Sequence, residues 1–264
     1  MRGLCWLALL ITLTAGGAES ADRIASFSPA ATRILVDLGA GDEIVAATRW
    51  CELPQGHPAR RSCDAFEPDI EALRLSGATV AILPRLANPM LEARVRSVGL
   101  RTLVLAAESA ESPAEDIAAL ARLTGRTEVG DRLLQARRQC PRPATGKRVL
   151  VLWDGVCAGP DSYLAWAIRA AGGEPAPGKG AWPQWDIESV TQANPDLVLV
   201  LKNDGPNKPE TDKTELQRWQ DTPGLRLTHA AQAGCVYHVK CGSDWLPASG
   251  LPNAVVIIAK LLAK

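Results

Sequence analysis

The segment that decides the fold is residues 112–140, SPAEDIAALARLTGRTEVGDRLLQARRQC, near the middle of the 264-residue chain. Ser112 and Pro113 are typical of a helix start, and apolar residues then recur at helical spacing. At 1.5 Å per residue, an unbroken helix here would span about 40 Å. Gly125 and Gly130 each weaken a helix by about 1 kcal/mol, so two helices with a break are the alternative. The pattern predicts one long connecting helix.

The parts of the chain on either side of this segment follow the same order of elements. In each part, Asp-Ile-Glu opens a predicted helix that precedes an apolar strand: residues 69–71 precede ATVAIL, and residues 186–188 precede NPDLVLVL. Strands that alternate with helices indicate parallel sheets. The sequence therefore predicts an α/β fold of two lobes with parallel sheets, residues 22–111 and 142–264, joined by a single long interlobe helix at 112–141.

The chain begins with the features of a secretory signal peptide. Arg2 is followed by an apolar run, LCWLALLITLTA, and then by small residues through Ala21. A basic start, a short apolar core and a small-residue end are typical of such peptides, and the run is too short to span a membrane. We therefore expect residues 1–21 to be removed on export to the periplasm. The formal net charge of zero argues against a nucleic-acid partner bound through bulk charge.

Export to an oxidising compartment makes the cysteines candidates for disulfides. Six remain after the signal peptide: Cys51, Cys63, Cys140, Cys157, Cys235 and Cys241. An even number favours disulfides, and Cys51–Cys63 and Cys235–Cys241 are the economical pairs because each closes a short loop. The cysteines form no CxxC pair and the three histidines have no ligand-like spacing, so no metal site is predicted.

The sequence contains no nucleophile elbow, HExxH, P-loop or GxGxxG motif, so catalysis is not the leading hypothesis. The aromatic composition is more informative, because Trp supplies eight of the aromatic residues against two Tyr and two Phe. Five of the tryptophans fall at predicted strand ends or in loops: Trp50, Trp153, Trp182, Trp185 and Trp245. They pack against their own lobe or, at the carboxyl ends of the strands, hold a broad, flat and largely apolar ligand by stacking. Because there are five of them, we favour the ligand-binding role over packing within the lobe.

At the start of the predicted mature chain, RIASFSPAATRILVDLGAGDEIVAATRWCELP resembles periplasmic substrate-binding proteins of the helical-backbone type (class III). These proteins serve ABC importers of vitamin B12, ferric siderophores and haem. The resemblance continues through DIEAL, GGEPAPGKGAWPQWDIESVTQANPDLVLV and GSDWLPASG, and WPQ and SDW look most like the vitamin B12-binding member. It implies two α/β lobes joined by one long helix, with the ligand in the cleft between the lobes.

The resemblance also implies roles for individual residues. Trp50 matches an aromatic position of the cleft, Phe66 falls near a second, and Trp153 matches a third if a small gap is allowed. Trp182 is the Trp of WPQ, and Asp244 and Trp245 belong to the SDW loop; Trp185 has no counterpart.

In this family an acidic residue on each lobe docks onto basic residues of the membrane permease, and Glu71 and Glu188 match those positions. Stabilisation of a helix N-terminus is the alternative role for both glutamates, and the two roles are compatible.

Three departures bear on the ligand: Pro84 stands near an expected aromatic, the helix after Glu71 is one residue short, and the cysteines at 51 and 63 are not part of the pattern. A corrinoid needs flat apolar walls, whereas an anionic siderophore needs clustered cations. Arg49, Arg85 and Lys179 are the plausible cations of the ligand cleft. The loop aromatics outnumber them and Asp244 would oppose an anion, so a corrinoid is the leading ligand.

We therefore expect a monomeric, non-enzymatic binding protein, without a cofactor, that delivers cobalamin or a related corrinoid to an ABC permease dimer in the inner membrane. The alternatives are a binding protein for a ferric siderophore or haem, a receptor without a transporter, and an exported α/β enzyme.

Overall fold

The structure is a computed structural model and describes residues 22–85, 89–106, 109–176, 178–202 and 214–264. The expected signal peptide lies outside the described residues. Strands and helices alternate on both sides of the central segment, as the sequence pattern predicts.

The N-terminal lobe is built on a four-stranded parallel sheet with the order β2-β1-β3-β4. Its strands are β1 Ile24–Ser26, β2 Ile44–Ala47, β3 Val80–Leu83 and β4 Arg101–Val104. Its first three helices are α1 Pro29–Asp37, α2 Ile70–Leu75 and α3 Pro89–Ser97. Because successive side chains of a strand point to opposite faces, Ile24 joins one core cluster and Ala25 the other. The sheet is therefore covered on both faces, as parallel sheets usually are.

The segment between the lobes forms two helices, α4 Ser112–Leu123 and α5 Thr127–Arg138, so the prediction of one long helix is wrong. Gly125 has a φ of +67°, and the N–H of Arg126 donates to the carbonyl of Ala121 at 2.8 Å. This bond and the left-handed glycine end α4. A Cβ on Gly130 would lie 2.6 Å from that of Ala121, so the second glycine permits α5 to pack closely against α4.

The connecting element between the lobes is α5. The apolar face of α4 lies in the core of the N-terminal lobe, where Ile117 and Leu120 are buried. The twelve residues of α5 span about 18 Å. Near the end of α5, Arg137 donates from Nη2 to the Ala110 carbonyl at 2.6 Å and places its guanidinium 3.4 Å from the ring centre of Trp166 in the C-terminal lobe. Arg137 therefore contacts both lobes at their junction.

The C-terminal lobe contains a five-stranded sheet with the path β6-β5-β8-β9, and β7 pairs with β5. Its strands are β5 Arg148–Trp153, β6 Val156–Cys157, β7 Glu174–Pro175, β8 Leu197–Lys202 and β9 Val236–Lys240. All pairs are parallel except the β5–β6 hairpin. The helices of this lobe are α6 Tyr163–Ala170, α7 Ile187–Ala193, α8 Thr214–Asp221, α9 His229–Gln232 and α10 Leu251–Leu262. None of the helices in the described ranges is long and apolar enough to cross a membrane.

Candidate functional site

The carboxyl ends of β1, β3 and β4 open onto a cavity of about 170 Å³. Ligands of α/β proteins bind at this edge of the sheet. Arg85, which the sequence analysis placed in the cleft, lines the cavity and is exposed at its rim. Leu246, from the segment before α10, lines it from the other side. The cavity therefore lies where the two lobes meet.

Asp116 is the buried acidic group of this cavity. Asp116 is 5% exposed, and its Oδ1 accepts a hydrogen bond from the N–H of Ala106 at 2.8 Å. Burial raises the pKa of the carboxyl to about 6 and the nearby Glu115 adds to the rise, although the Ala106 N–H acts in the opposite direction. The sequence analysis missed Asp116, because an acidic residue near the start of a helix already has an ordinary explanation in the helix dipole.

The C-terminal lobe contributes an aromatic cluster next to the carboxyl end of β5. Trp153 is the last residue of that strand, and its ring lies edge-on to that of Trp182 at 6.1 Å between centroids. The ring of Tyr163 also lies edge-on to that of Trp182, at 5.4 Å between centroids, and Tyr163 donates its hydroxyl hydrogen to the carbonyl of Trp245 at 3.0 Å. The predicted pair Trp153 and Trp182 therefore lies together, as a half-buried apolar wall.

Trp182 is held in place by backbone pairing between its loop and the segment that begins at the end of β6. Cys157 and Gly159 donate their N–H groups to the carbonyls of Pro183 and Ala181, both at 2.9 Å. A Cβ on Gly159 would lie 2.2 Å from the carbonyl oxygen of Gly180, so only glycine permits this approach. The indole Nε1 of Trp182 is buried and has no acceptor within the described part of the chain.

The loop after β2 exposes two aromatic side chains of the N-terminal lobe. Trp50 is 62% exposed and Phe66 is 75% exposed. Their backbone is nevertheless fixed, because the N–H of Trp50 donates to Thr48 Oγ1 at 3.1 Å and that of Phe66 donates to Asp64 Oδ1 at 2.8 Å. The guanidinium of Arg49 lies 5.1 Å from the ring centre of Trp50. Exposed aromatic groups on an ordered loop mark a surface that a ligand or a partner can cover.

One of the predicted ligand tryptophans is buried in the core of the C-terminal lobe. Trp245 is 2% exposed and packs in the core against α6 and α10, so its assignment to the ligand was wrong. Trp185 is half-buried and packs with the cluster of Trp219, whereas Trp153 and Trp182 pack with the other cluster of this lobe. The contact of Trp185 with the ligand stays a prediction. The aromatic pattern alone could not separate these residues, because a loop tryptophan can pack inward as well as outward.

Asp244, which the resemblance implies as a ligand residue, bonds the other lobe in the structure. Its Oδ1 accepts from Nη1 of Arg33 in α1 at 3.1 Å and from Nδ2 of Asn253 at 3.0 Å. Arg33 also bonds Asp37 through Nε at 2.8 Å and Ser243 Oγ through Nη1 at 2.6 Å. We call this group, centred on Arg33, the interlobe clasp. No local pattern predicts it, because Arg33 and Asp244 are far apart in the sequence.

Glu71 and Glu188 occupy equivalent positions in the two lobes. Each is the second residue of a helix whose N-cap is an aspartate: Asp69 accepts from the N–H of Ala72, and Asp186 accepts from that of Ser189. Both glutamates are exposed. The two Asp-Ile-Glu segments therefore form the same helix start, with one outward carboxylate on each lobe.

All six cysteines of the predicted mature chain are free thiols in the structure, so neither predicted disulfide is present. The Cys235–Cys241 pairing is also excluded by geometry. The two residues flank β9, whose extended backbone separates their Cα atoms by about 20 Å, whereas a disulfide needs less than about 7 Å. Cys51 and Cys63 are both buried, and the hydroxyl of Thr32 donates to Cys51 Sγ at 2.9 Å.

Within the described residues, no group of three or more His, Cys, Asp or Glu side chains is arranged to hold a metal ion.

No protein-family model matches the chain. Two curated cobalamin-binding proteins, from two strains of Halobacterium salinarum, are each 25% identical to it over 197 residues, which is 68% of this chain and 53% of the relative. The chain therefore spans about half the length of the curated relatives it matches.

Solved structures share the fold over most of the chain. The periplasmic haem-binding protein HutB of Vibrio cholerae superposes with a TM-score of 0.77, with 22% identity over 92% of this chain and 99% of that one. The periplasmic vitamin B12-binding protein BtuF of Vibrio cholerae gives a TM-score of 0.69, with 22% identity over 92% and 97%. The chain therefore has the two-lobed α/β fold of periplasmic binding proteins. The fold implied by the sequence resemblance is confirmed, except that its interlobe helix is the shorter α5.

Proposed function

We propose that this protein is a periplasmic binding protein that captures cobalamin or a related corrinoid and delivers it, as a monomer, to the permease dimer of an ABC importer in the inner membrane. The observation that carries the proposal is the aromatic surface on both lobes. Trp50 is exposed on the N-terminal lobe, and Trp153 and Trp182 form a wall on the C-terminal lobe. A broad, nearly neutral ring system fits such walls, because stacking and apolar contact need no matching charge.

Haem fits this protein less well than a corrinoid. The two candidate side chains for binding its iron are Tyr163 and His238. Tyr163 is buried, and its hydroxyl already donates to the Trp245 carbonyl. His238 lies in the middle of β9 and pairs with Val200, two residues before the carboxyl end of the strand. Haem iron bound by a protein side chain would need a His or Tyr that reaches the cleft. The curated relatives are named for cobalamin, which supports the same choice of ligand.

Binding is tested by calorimetric titration of the purified protein with cyanocobalamin, dicyanocobinamide, haemin and ferric siderophores. We expect the corrinoids to bind and to quench tryptophan fluorescence. Trp50→Ala should weaken corrinoid binding about tenfold or more, because loss of a stacked indole costs about 1.4 kcal/mol or above. Leu75→Ala is the matched control, since Leu75 is 66% exposed at the far end of α2. Binding of haemin or a siderophore with no corrinoid binding would overturn the choice of ligand.

Transport is tested through the two outward carboxylates. Glu71→Lys and Glu188→Lys should leave corrinoid binding unchanged but abolish uptake in cells that carry the importer. The new lysines would face the basic residues of the permease, and like charges repel. Glu128→Lys is the control, since Glu128 is also the exposed second residue of a helix. It loses the same helix-dipole interaction of about 0.3–1 kcal/mol. Normal uptake by both of the first two variants would remove the docking role.

A further inference from the structure

The cavity at the lobe junction is too small for a whole corrinoid. Its volume is about 170 Å³, whereas pockets that enclose an entire small-molecule ligand measure about 300–1,000 Å³. A ring system in the cleft would therefore lie across the opening, and the cavity would receive one side arm. The carboxylate of Asp116 lines this cavity and is 5% exposed.

The other polar side chains that line the cavity are Arg85, which is exposed at the rim, and Ser28 and Ser112, which are engaged in the fold. Ser28 Oγ caps α1 by accepting from the N–H of Ala31, and Ser112 Oγ donates to the Ser109 carbonyl at 2.9 Å. Asp116 uses Oδ1 to accept from Ala106, and no bond to a residue of the described ranges engages its Oδ2. The free acceptor of the cavity is therefore a carboxylate oxygen with apolar neighbours, among them Phe27, Leu105 and Leu246.

We propose that Asp116 determines specificity by accepting a hydrogen bond from the NH₂ of a carboxamide arm and by excluding a carboxylate arm. The inference rests on the proposed function, because corrinoids carry carboxamide arms around the ring, whereas haem carries carboxylates. An amide supplies the N–H that a buried carboxylate lacks. A carboxylate arm supplies only acceptors and a like charge, and both are costly in a site that excludes water.

Protonation of Asp116 reverses this preference. The residue is ionised above pH 6 or so and then accepts from an amide; when protonated it donates to a carboxylate. The charged groups near it are Glu115 on its own helix and Arg85 at the rim. The lining residues that follow β1 and β4, those of α1 and those of the segment before α10 carry no titratable side chain. The preference for an amide arm should therefore fall as the pH falls through about 6.

The test compares cyanocobalamin with its monocarboxylic acids, in each of which one propionamide arm is hydrolysed. At pH 7.5 the wild type should bind one of the acids at least tenfold more weakly than cyanocobalamin, and this ratio should shrink at pH 5. Asp116→Asn keeps an acceptor for the Ala106 N–H and offers an NH₂ to a carboxylate. It should bring the ratio to within about twofold at both pH values.

Glu115→Gln is the matched control, because it removes an exposed carboxylate one residue away and should keep the wild-type ratio at pH 7.5. An unchanged ratio in Asp116→Asn, or an equal change in Glu115→Gln, would overturn the role of Asp116 and leave corrinoid binding standing. A wild-type ratio that does not vary with pH would overturn it without any mutation. Absence of all corrinoid binding by the wild type would overturn the proposed function and this inference with it.

Discussion

Replacing Arg33 by alanine should release the interlobe clasp and destabilise the fold. The guanidinium joins α1 of the N-terminal lobe to Ser243 and Asp244 of the C-terminal lobe, and it also bonds Asp37. Asp37 in turn accepts from Ser249 Oγ at 2.7 Å, so the contact crosses the junction twice. The carboxylates of Asp37 and Asp244 raise the pKa of Arg33 in spite of its partial burial, which acts in the opposite direction.

The size of the effect follows from the exposure of the clasp. The Arg33 side chain is 25% exposed, which lies between a buried pair and a surface pair. Hydrogen bonds to charged groups contribute about 1.5–3 kcal/mol when they are shielded from water. Surface ion pairs contribute about 0.2–1 kcal/mol. We therefore expect Arg33→Ala to lower the free energy of unfolding by about 2 kcal/mol, with about 1 kcal/mol of this coupled to Asp244.

Urea unfolding of Arg33→Ala, Asp244→Ala and the double variant measures both quantities, provided that the slope of the transition is unchanged. Arg96→Ala is the control. Arg96 pairs with Glu92 within one helix at 2.7 Å but is 64% exposed, so its loss should cost less than about 0.5 kcal/mol. The reasoning fails if Arg33→Ala is no more destabilising than Arg96→Ala, or if the effects of the two clasp variants are simply additive.

Three further predictions concern Asp116, the two cysteines that flank β9, and Arg137. Urea unfolding at several pH values should show that the free energy of unfolding of Asp116→Asn, relative to that of the wild type, rises by up to about 3 kcal/mol between pH 3 and pH 8. The folded pKa of about 6 lies above the ordinary 3.8, so the wild type loses stability as the pH rises through this range. Non-reducing peptide mapping of the exported protein should find no Cys235–Cys241 link, because β9 holds the two thiols apart. Arg137→Lys should lower the melting temperature by several degrees, since an ammonium cannot stack flat on Trp166 as the guanidinium does; an unchanged value would contradict that role.

The order of elements in both lobes could be predicted from the sequence, because helix starts and buried parallel strands have local signals. Asp69 and Asp186 cap their helices as the Asp-Ile-Glu pattern predicts, and Glu71 and Glu188 are exposed in the first turns. Trp153 and Trp182 lie together at the expected edge of the sheet. Each of these features depends on residues that are near one another in the chain, or on a strand end whose position the apolar run already indicates.

The remaining features depend on distant residues, so only the tertiary structure decided them. In the sequence, Gly125 and Gly130 indicate only a weakened helix. Their role in the close packing of α5 against α4 depends on how the two helices meet. Trp245 and Asp244 are adjacent in the SDW loop, yet one is core and the other bonds Arg33 on the opposite lobe. The sequence by itself determined the α/β elements and their grouping into two lobes, through propensity, capping and periodicity. Which side chains are buried, which join the lobes and which face the cleft are set by packing between the elements, because burial depends on every neighbour that covers a residue.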